Sequence, residues 1–196
     1  MSLMDAVKKL RFKTSAGMVD CKDALKESGG DIDKAVEILR KKGIAKAAKK
    51  ATRIAGQGVI ESYIHMGNRI GVLVEVNCET DFVARNNDFR KLTKEIAMQV
   101  AAANPLYVSK DEIPEDAIEK EKEIFRSQVK DKPAEVTEKI VNGKLEKYFS
   151  EACLIEQPFI KDPNVKIKDL ITQTIATIGE NIQIKRFARY EVGEEF

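Results

Sequence analysis

Asn77-Cys78-Glu79-Thr80-Asp81-Phe82-Val83 is the stretch on which the reading of this chain turns. An alternating apolar run, Ile70, Val72, Val74 and Val76, leads straight into it. Alternation with a period of two marks a half-buried strand. Beyond Val76 the chain turns polar, sets an acid beside a large aromatic, and enters a helical pattern. A phenylalanine at the tip between a strand and a helix is badly placed to serve its own core. Two roles remain for Phe82: a wedge for another protein, or a staple folded back under the helix that follows.

Outward from this stretch the rest of the fold can be laid out. Downstream, Phe89, Leu92, Ile96 and Val100 fall on one face of a helix from about Asp88 to Ala103, and Asn104-Pro105 ends it. Upstream, residues 58–65 and 69–77 read as a hairpin across Met66-Gly67-Asn68, with Gly56 and Gly58 marking its start. Ile113-Pro114 opens a helix carrying Ile118 and Phe125. After Lys132-Pro133 another carries Val136, Ile140 and Tyr148 towards Cys153. Charges fill the opposite faces of both, so the pair reads as an exposed helical hairpin. Asp162-Pro163-Asn164 reads as a turn. Leu170, Ile171, Thr174 and Ile178 share a face of a helix over 167–178, Gly179 stops it, and a last strand runs from Ile182 to about Val192.

The N-terminal segment has a different texture. Leu3, Ala6, Val7 and Leu10 form one apolar stripe, Met18, Cys21 and Leu25 a second, and Ile32, Ala35, Val36 and Leu39 a third. Asp31 is placed to cap the third helix and Gly43 to end it, with Gly29-Gly30 as the break before it. The alanine- and lysine-rich stretch after Gly43 lacks an apolar face and reads as a solvated helix reaching about Arg53. The expected organisation is therefore a three-helix domain over 1–43, a basic connecting helix or linker over 44–56, and an α+β core over 57–196. That core combines a small antiparallel sheet, packed helices and the helical hairpin.

Composition limits what such a chain does. The net charge is only +2, yet residues 1–56 hold 14 Lys and Arg against 7 Asp and Glu, a net of +7, and the remainder holds 20 against 25, a net of −5. A basic head on an acidic body suits an acidic docking surface. No apolar run approaches the roughly 20 residues of a membrane span, and no signal-peptide core is apparent. Cys21, Cys78 and Cys153 form no CxxC pair, which fits a reducing cytoplasm and predicts neither a zinc site nor a disulfide. Glycine-rich phosphate loops are absent, and His65 is the single histidine. No cofactor, metal or covalent chemistry is expected. Two rival readings stand beside the wedge: an RNA- or ribosome-binding module using the basic helix 41–53, and a thiol enzyme pairing Cys78 with His65.

Several of these segments resemble elongation factor Ts. They are Leu10-Arg11 with Thr14-Ser15-Ala16-Gly17-Met18-Val19-Asp20-Cys21-Lys22, then Gly43-Ile44-Ala45-Lys46-Ala47-Ala48-Lys49-Lys50, then Glu75 through Arg85. Gln157-Pro158-Phe159 and Ile178-Gly179-Glu180-Asn181-Ile182 follow in order, so the resemblance spans nearly the whole chain. Ser15 stands where the family usually has glycine and Val19 where it has methionine, both at a helix entry where fine packing is at stake. The resemblance implies a cytoplasmic translation factor that exchanges guanine nucleotide on the GTPase elongation factor Tu. It implies a UBA-like N-terminal module that docks on the GTPase, and a short form with one core subdomain that assembles as a homodimer or as a heterotetramer with its partner. It implies no membrane and no direct nucleic-acid contact. Carried over to this sequence, Thr80, Asp81, Phe82 and Val83 push in near the partner's Mg²⁺ and phosphate site, with Lys22 and Lys50 as docking contacts.

Overall fold

The computed structural model describes residues 2–14, 16–129 and 132–194. Among them the chain is α+β, with eight α-helices and five strands. They are α1 (Leu3–Thr14), α2 (Met18–Glu27), α3 (Ile32–Ala48), β1 (Gln57–Ile64), β2 (Ile70–Cys78), α4 (Asp81–Ala84) and α5 (Asn87–Ala103). After these come α6 (Glu115–Ser127), α7 (Ala134–Ala152), β3 (Pro158–Phe159), β4 (Asp162–Lys166), α8 (Ile167–Ile178) and β5 (Ile182–Glu191). Two compact units are built from these. One takes residues 1–59, 76–92 and 169–183; the other takes 60–75, 93–168 and 184–196.

In the first unit, α1, α2 and α3 close on a small core of Ala6, Val7, Leu10, Cys21, Ala24, Leu25 and Ala35. The three stripes read from the sequence supply it, although Leu3 and Met18 at their outer ends are exposed. Asp31 caps α3 as expected, its carboxylate accepting from the backbone N–H groups of Asp33 and Lys34. That contact holds the Asp31 carboxyl below the ordinary carboxylate range. Gly43, however, does not end the helix, because α3 runs on to Ala48. The glycine is buried, and a methyl group there would lie 3.4 Å from the Ala176 side chain on α8. It serves close helix packing. Past Ala48 the chain makes tight turns to Arg53 in place of a continuing helix. Val19 is exposed, so its departure from the family pattern bears on surface and not on packing; Ser15 lies outside the described residues.

The sheet has the order β1-β2-β5 and is antiparallel. β2 alternates as predicted, with Val72, Val74, Val76 and Cys78 buried and Leu73 exposed. The hairpin closes with the His65 N–H donating to the Ile70 carbonyl at 2.9 Å. On β1 the polarity is reversed: Glu61 is buried, receiving the Thr93 hydroxyl at 3.2 Å, while Ile60 and Ile64 are exposed. On α5, Phe89, Leu92, Ile96 and Val100 are all buried, as its periodicity requires.

The second unit holds the helical hairpin. Its buried residues on α7 include Val141, Leu145 and Phe149. Of the stripe expected from sequence, Tyr148 packs half-buried against the same core, Ile140 is half-buried, Val136 is exposed, and Cys153 just beyond the helix is buried. Two overlapping four-residue spacings exist on this helix. Packing of Phe125, Ile118 and Tyr107 around Leu145 and Phe149 decides between them. Asp162-Pro163-Asn164 is not a turn but part of β4, which pairs antiparallel with β3; the reversal is made by Ile160 and Lys161. The buried Gln99 side chain holds this hairpin, donating to the Pro158 carbonyl at 3.2 Å and accepting from the Ile160 N–H at 2.9 Å.

Candidate functional site

At Cys78 the β2 ladder ends with a fully buried side chain, and the next two residues leave the sheet. Thr80 keeps an extended backbone and begins α4, its hydroxyl accepting from the Val83 N–H at 3.4 Å. Asp81 sits in the first turn, where the helix dipole favours a carboxylate, and Arg85 one turn later binds it at 2.9 Å. A single helical turn then sorts the side chains. Ala84 faces inward and is buried, Val83 is half-buried, and Phe82 stands 81% exposed. The staple role is thereby excluded, since a phenylalanine folded under α5 would be buried.

This exposed turn rests on a polar cradle supplied by the end of α8. Gly179 closes α8, and Glu180 follows. One oxygen of the Glu180 carboxylate accepts the N–H groups of Glu79 at 3.1 Å and Thr80 at 3.0 Å; the other accepts the Thr80 hydroxyl at 2.7 Å. The Glu79 carboxylate accepts in turn from the Asn181 N–H at 2.7 Å and lies 3.5 Å from the Arg53 guanidinium. The Asn181 side-chain amide, almost fully buried, donates to the Arg53 carbonyl at 2.8 Å. Lys50 donates its ammonium to the Gly179 carbonyl. Thr80, Asp81, Phe82, Val83 and Lys50 are thus brought into one connected structure, while Lys22 stands apart and exposed on α2. Sequence reading missed Glu180, Asn181 and Arg53 as supports. The stretch 178–182 is visible as a motif, but no local spacing announces a contact with residues 100 positions away.

Residues 2–194 match the family described as Elongation factor TS. The chain belongs to that family. It is 61% identical over 189 residues to the elongation factor Ts of Thermodesulfovibrio yellowstonii, covering 96% of this chain and 94% of the relative. It is likewise 61% identical over 192 residues to that of Thermotoga neapolitana, with 98% of each chain covered. Membership of the elongation factor Ts family makes it a translation elongation factor.

The thiol-enzyme reading loses its footing in the same geometry. In the basic segment after Arg40, Lys46 pairs with Asp20 at 2.9 Å and Lys42 with Glu27 at 2.7 Å, both at the protein surface. The Cys78 thiol is buried, donates to the Thr80 carbonyl at 3.2 Å, and is pushed up to about 11 by burial and the nearby Glu180 charge. It remains protonated at neutral pH and is no nucleophile. His65 instead meets the Tyr63 hydroxyl at 3.0 Å. All three cysteines are free and buried, and burial raises each of their pKa values. A thiol-reactive probe at pH 8 is therefore expected to label the native protein negligibly and the urea-unfolded protein fully. Rapid native labelling at Cys78 would contradict this packing. Among the described residues no cluster of His, Cys, Asp or Glu is suited to hold a metal, and no helix is long and apolar enough to cross a membrane.

Proposed function

We propose that this protein is the guanine-nucleotide exchange factor for elongation factor Tu, and that Phe82 on α4 is its wedge. The observation that carries the reading is the 81% exposure of a phenylalanine on a turn whose backbone is tied down from below. An exposed aromatic on a mobile segment would lose much of its binding energy to ordering; one held in place does not. Asp81 holds the displaced conformation of the partner by hydrogen bonds, and Val83 adds apolar area beside Phe82. Lys22 docks the N-terminal module, while Lys50, engaged with Gly179, has further N–H donors for the partner.

The mechanism is linkage and requires no bond to form or break. Bound GDP and Mg²⁺ favour one conformation of the partner's phosphate-binding loop. A factor that prefers the other conformation weakens nucleotide binding by the same ratio by which nucleotide weakens the factor. Burying a phenylalanine side chain contributes roughly 1.5–3 kcal/mol. Fully coupled to the conformational change, that is about a 10- to 150-fold change in nucleotide affinity. The exposed Ile60 and Ile64 on β1 also leave an apolar sheet face for a second copy, in keeping with a homodimer or a heterotetramer with the GTPase.

The test is release of a fluorescent GDP analogue from purified elongation factor Tu with substoichiometric amounts of this protein. Strong, catalytic acceleration is expected. Absence of acceleration by folded protein would overturn the reading, and a salt titration of RNA binding would then examine the basic helix instead.

A further inference from the structure

We infer that Glu180 is a positioning residue for nucleotide exchange: it sets the height and direction of the Phe82 wedge without itself touching the partner's nucleotide site. This inference rests on the wedge reading of Phe82. Both carboxylate oxygens are committed to the two residues that launch α4. They receive the N–H of Glu79 at 3.1 Å, the N–H of Thr80 at 3.0 Å and the hydroxyl of Thr80 at 2.7 Å. These are the last backbone donors before the helix begins, and the sheet ladder no longer satisfies them. Hydrogen bonds to an ionised acceptor are the stronger kind. The same hydroxyl accepts the Val83 N–H, so one carboxylate fixes the cap of the turn on which Phe82 stands.

The cradle is itself anchored. Lys50 donates to the carbonyl of Gly179, immediately before Glu180. Asn181, immediately after it, donates its N–H to Glu79 at 2.7 Å and its side-chain amide to Arg53 at 2.8 Å. Glu180 therefore lies between two fixed neighbours, and its carboxylate has little freedom to follow a moving turn. Without it, α4 keeps its sequence and Phe82 its exposure, but two backbone N–H groups and a hydroxyl lose their shared acceptor. The wedge then has to be ordered at the moment of binding.

The experiment measures GDP release from elongation factor Tu over a range of factor concentrations, which separates the maximal rate from the half-saturating concentration. Glu180→Ala is expected to lower the maximal rate about tenfold or more, with the half-saturating concentration little changed. Glu180→Gln retains an oxygen for the two N–H groups, and the Thr80 hydroxyl can turn to accept from the new amide. It is expected to stay within about threefold of the wild-type rate. A positioning residue acts through what it positions, so Glu180→Ala is expected to add little in the Phe82→Ala background. Amide exchange adds a readout that needs no partner: protection of the Glu79 and Thr80 N–H groups falls in Glu180→Ala and holds in Glu180→Gln. If Glu180→Ala does not fold, Glu180→Asp draws the carboxylate back by one methylene, and a smaller loss of maximal rate with the same non-additivity is expected. A wild-type rate in Glu180→Ala, or an equal loss with and without Phe82, overturns the assignment. No effect of Phe82→Ala alone overturns the wedge itself, a separate result.

Discussion

Phe82→Ala is expected to remove most of the acceleration of GDP release while leaving the fold as it is. The two halves of that expectation come from one number. At 81% exposure the ring contributes little to the protein's own core, so its removal changes folding stability by no more than about 0.5 kcal/mol. The same exposure means that nearly the whole side chain is available to be buried elsewhere. Its loss removes roughly 1.5–3 kcal/mol of transfer energy, which corresponds to a rate reduced about 10- to 150-fold if burial is coupled to nucleotide release. Ala84, two residues on, is the contrast: it is buried, and enlarging it would disturb packing instead of binding. Stopped-flow release of labelled GDP and a urea midpoint on the same preparation test both halves. A normal rate with a normal midpoint would show that Phe82 is not the wedge. A lowered midpoint would show that the ring is part of the core after all. Docking through the N-terminal module, read as binding of the factor at saturating GDP, should weaken far less than exchange does.

What the sequence makes legible follows the range of the interactions involved. β2 and α5 are governed by periodic burial along their own length, and their limits agree with the periodic reading to within about two residues. α8 keeps its expected limits, but its buried residues are Ile167 and Ile175, with Leu170, Ile171, Thr174 and Ile178 only half-buried. Asp31 reads correctly because a cap is local. The misreadings lie where a distant partner decides. Gly43 carries the residue type of a helix stop, and only the nearness of Ala176 shows that it is a packing contact. Asp162-Pro163-Asn164 has turn chemistry, but Gln99, some 60 residues earlier, holds the neighbouring hairpin in a different register. On α7 two stripes are equally periodic, and Leu145 and Phe149 are chosen by what packs against them. β1 shows the same limit in reverse, burying Glu61 and exposing Ile60 and Ile64. The candidate site divides along the same line. Phe82 is conspicuous from sequence because it is wrongly placed for a core, whereas Glu180 and Asn181 are ordinary polar residues until the chain brings them under Thr80.

Gly58→Ala carries the largest expected cost in stability, and its location ties that cost to the site. Gly58 has a φ of +154°, and a methyl group built on it would lie 2.3 Å from the Val76 carbonyl oxygen and 2.7 Å from the Asn77 Cα. Both are backbone atoms of β2, so no flexible side chain can swing aside. Either β1 must move away from β2 here, breaking ladder hydrogen bonds, or the end of β2 must shift. Overpacking and backbone strain each cost about 1–3 kcal/mol, and their sum of roughly 2–6 kcal/mol is a large share of the stability of a typical domain. Gly56, two residues earlier, supplies the control. Its nearest neighbour to a new methyl is a side-chain carbon of Ile54 at 3.8 Å, and its φ is not in the left-handed range. Gly56→Ala is expected to be neutral or to stabilise by up to about 1 kcal/mol through the unfolded chain. Chemical denaturation of the two variants side by side tests the difference, and equal midpoints would refute it. Because Val76 and Asn77 immediately precede the Cys78–Thr80 launch of α4, a Gly58→Ala protein that still folds should also exchange nucleotide slowly. The lesion would then act on the wedge from beneath, with Phe82 and Asp81 both still in place.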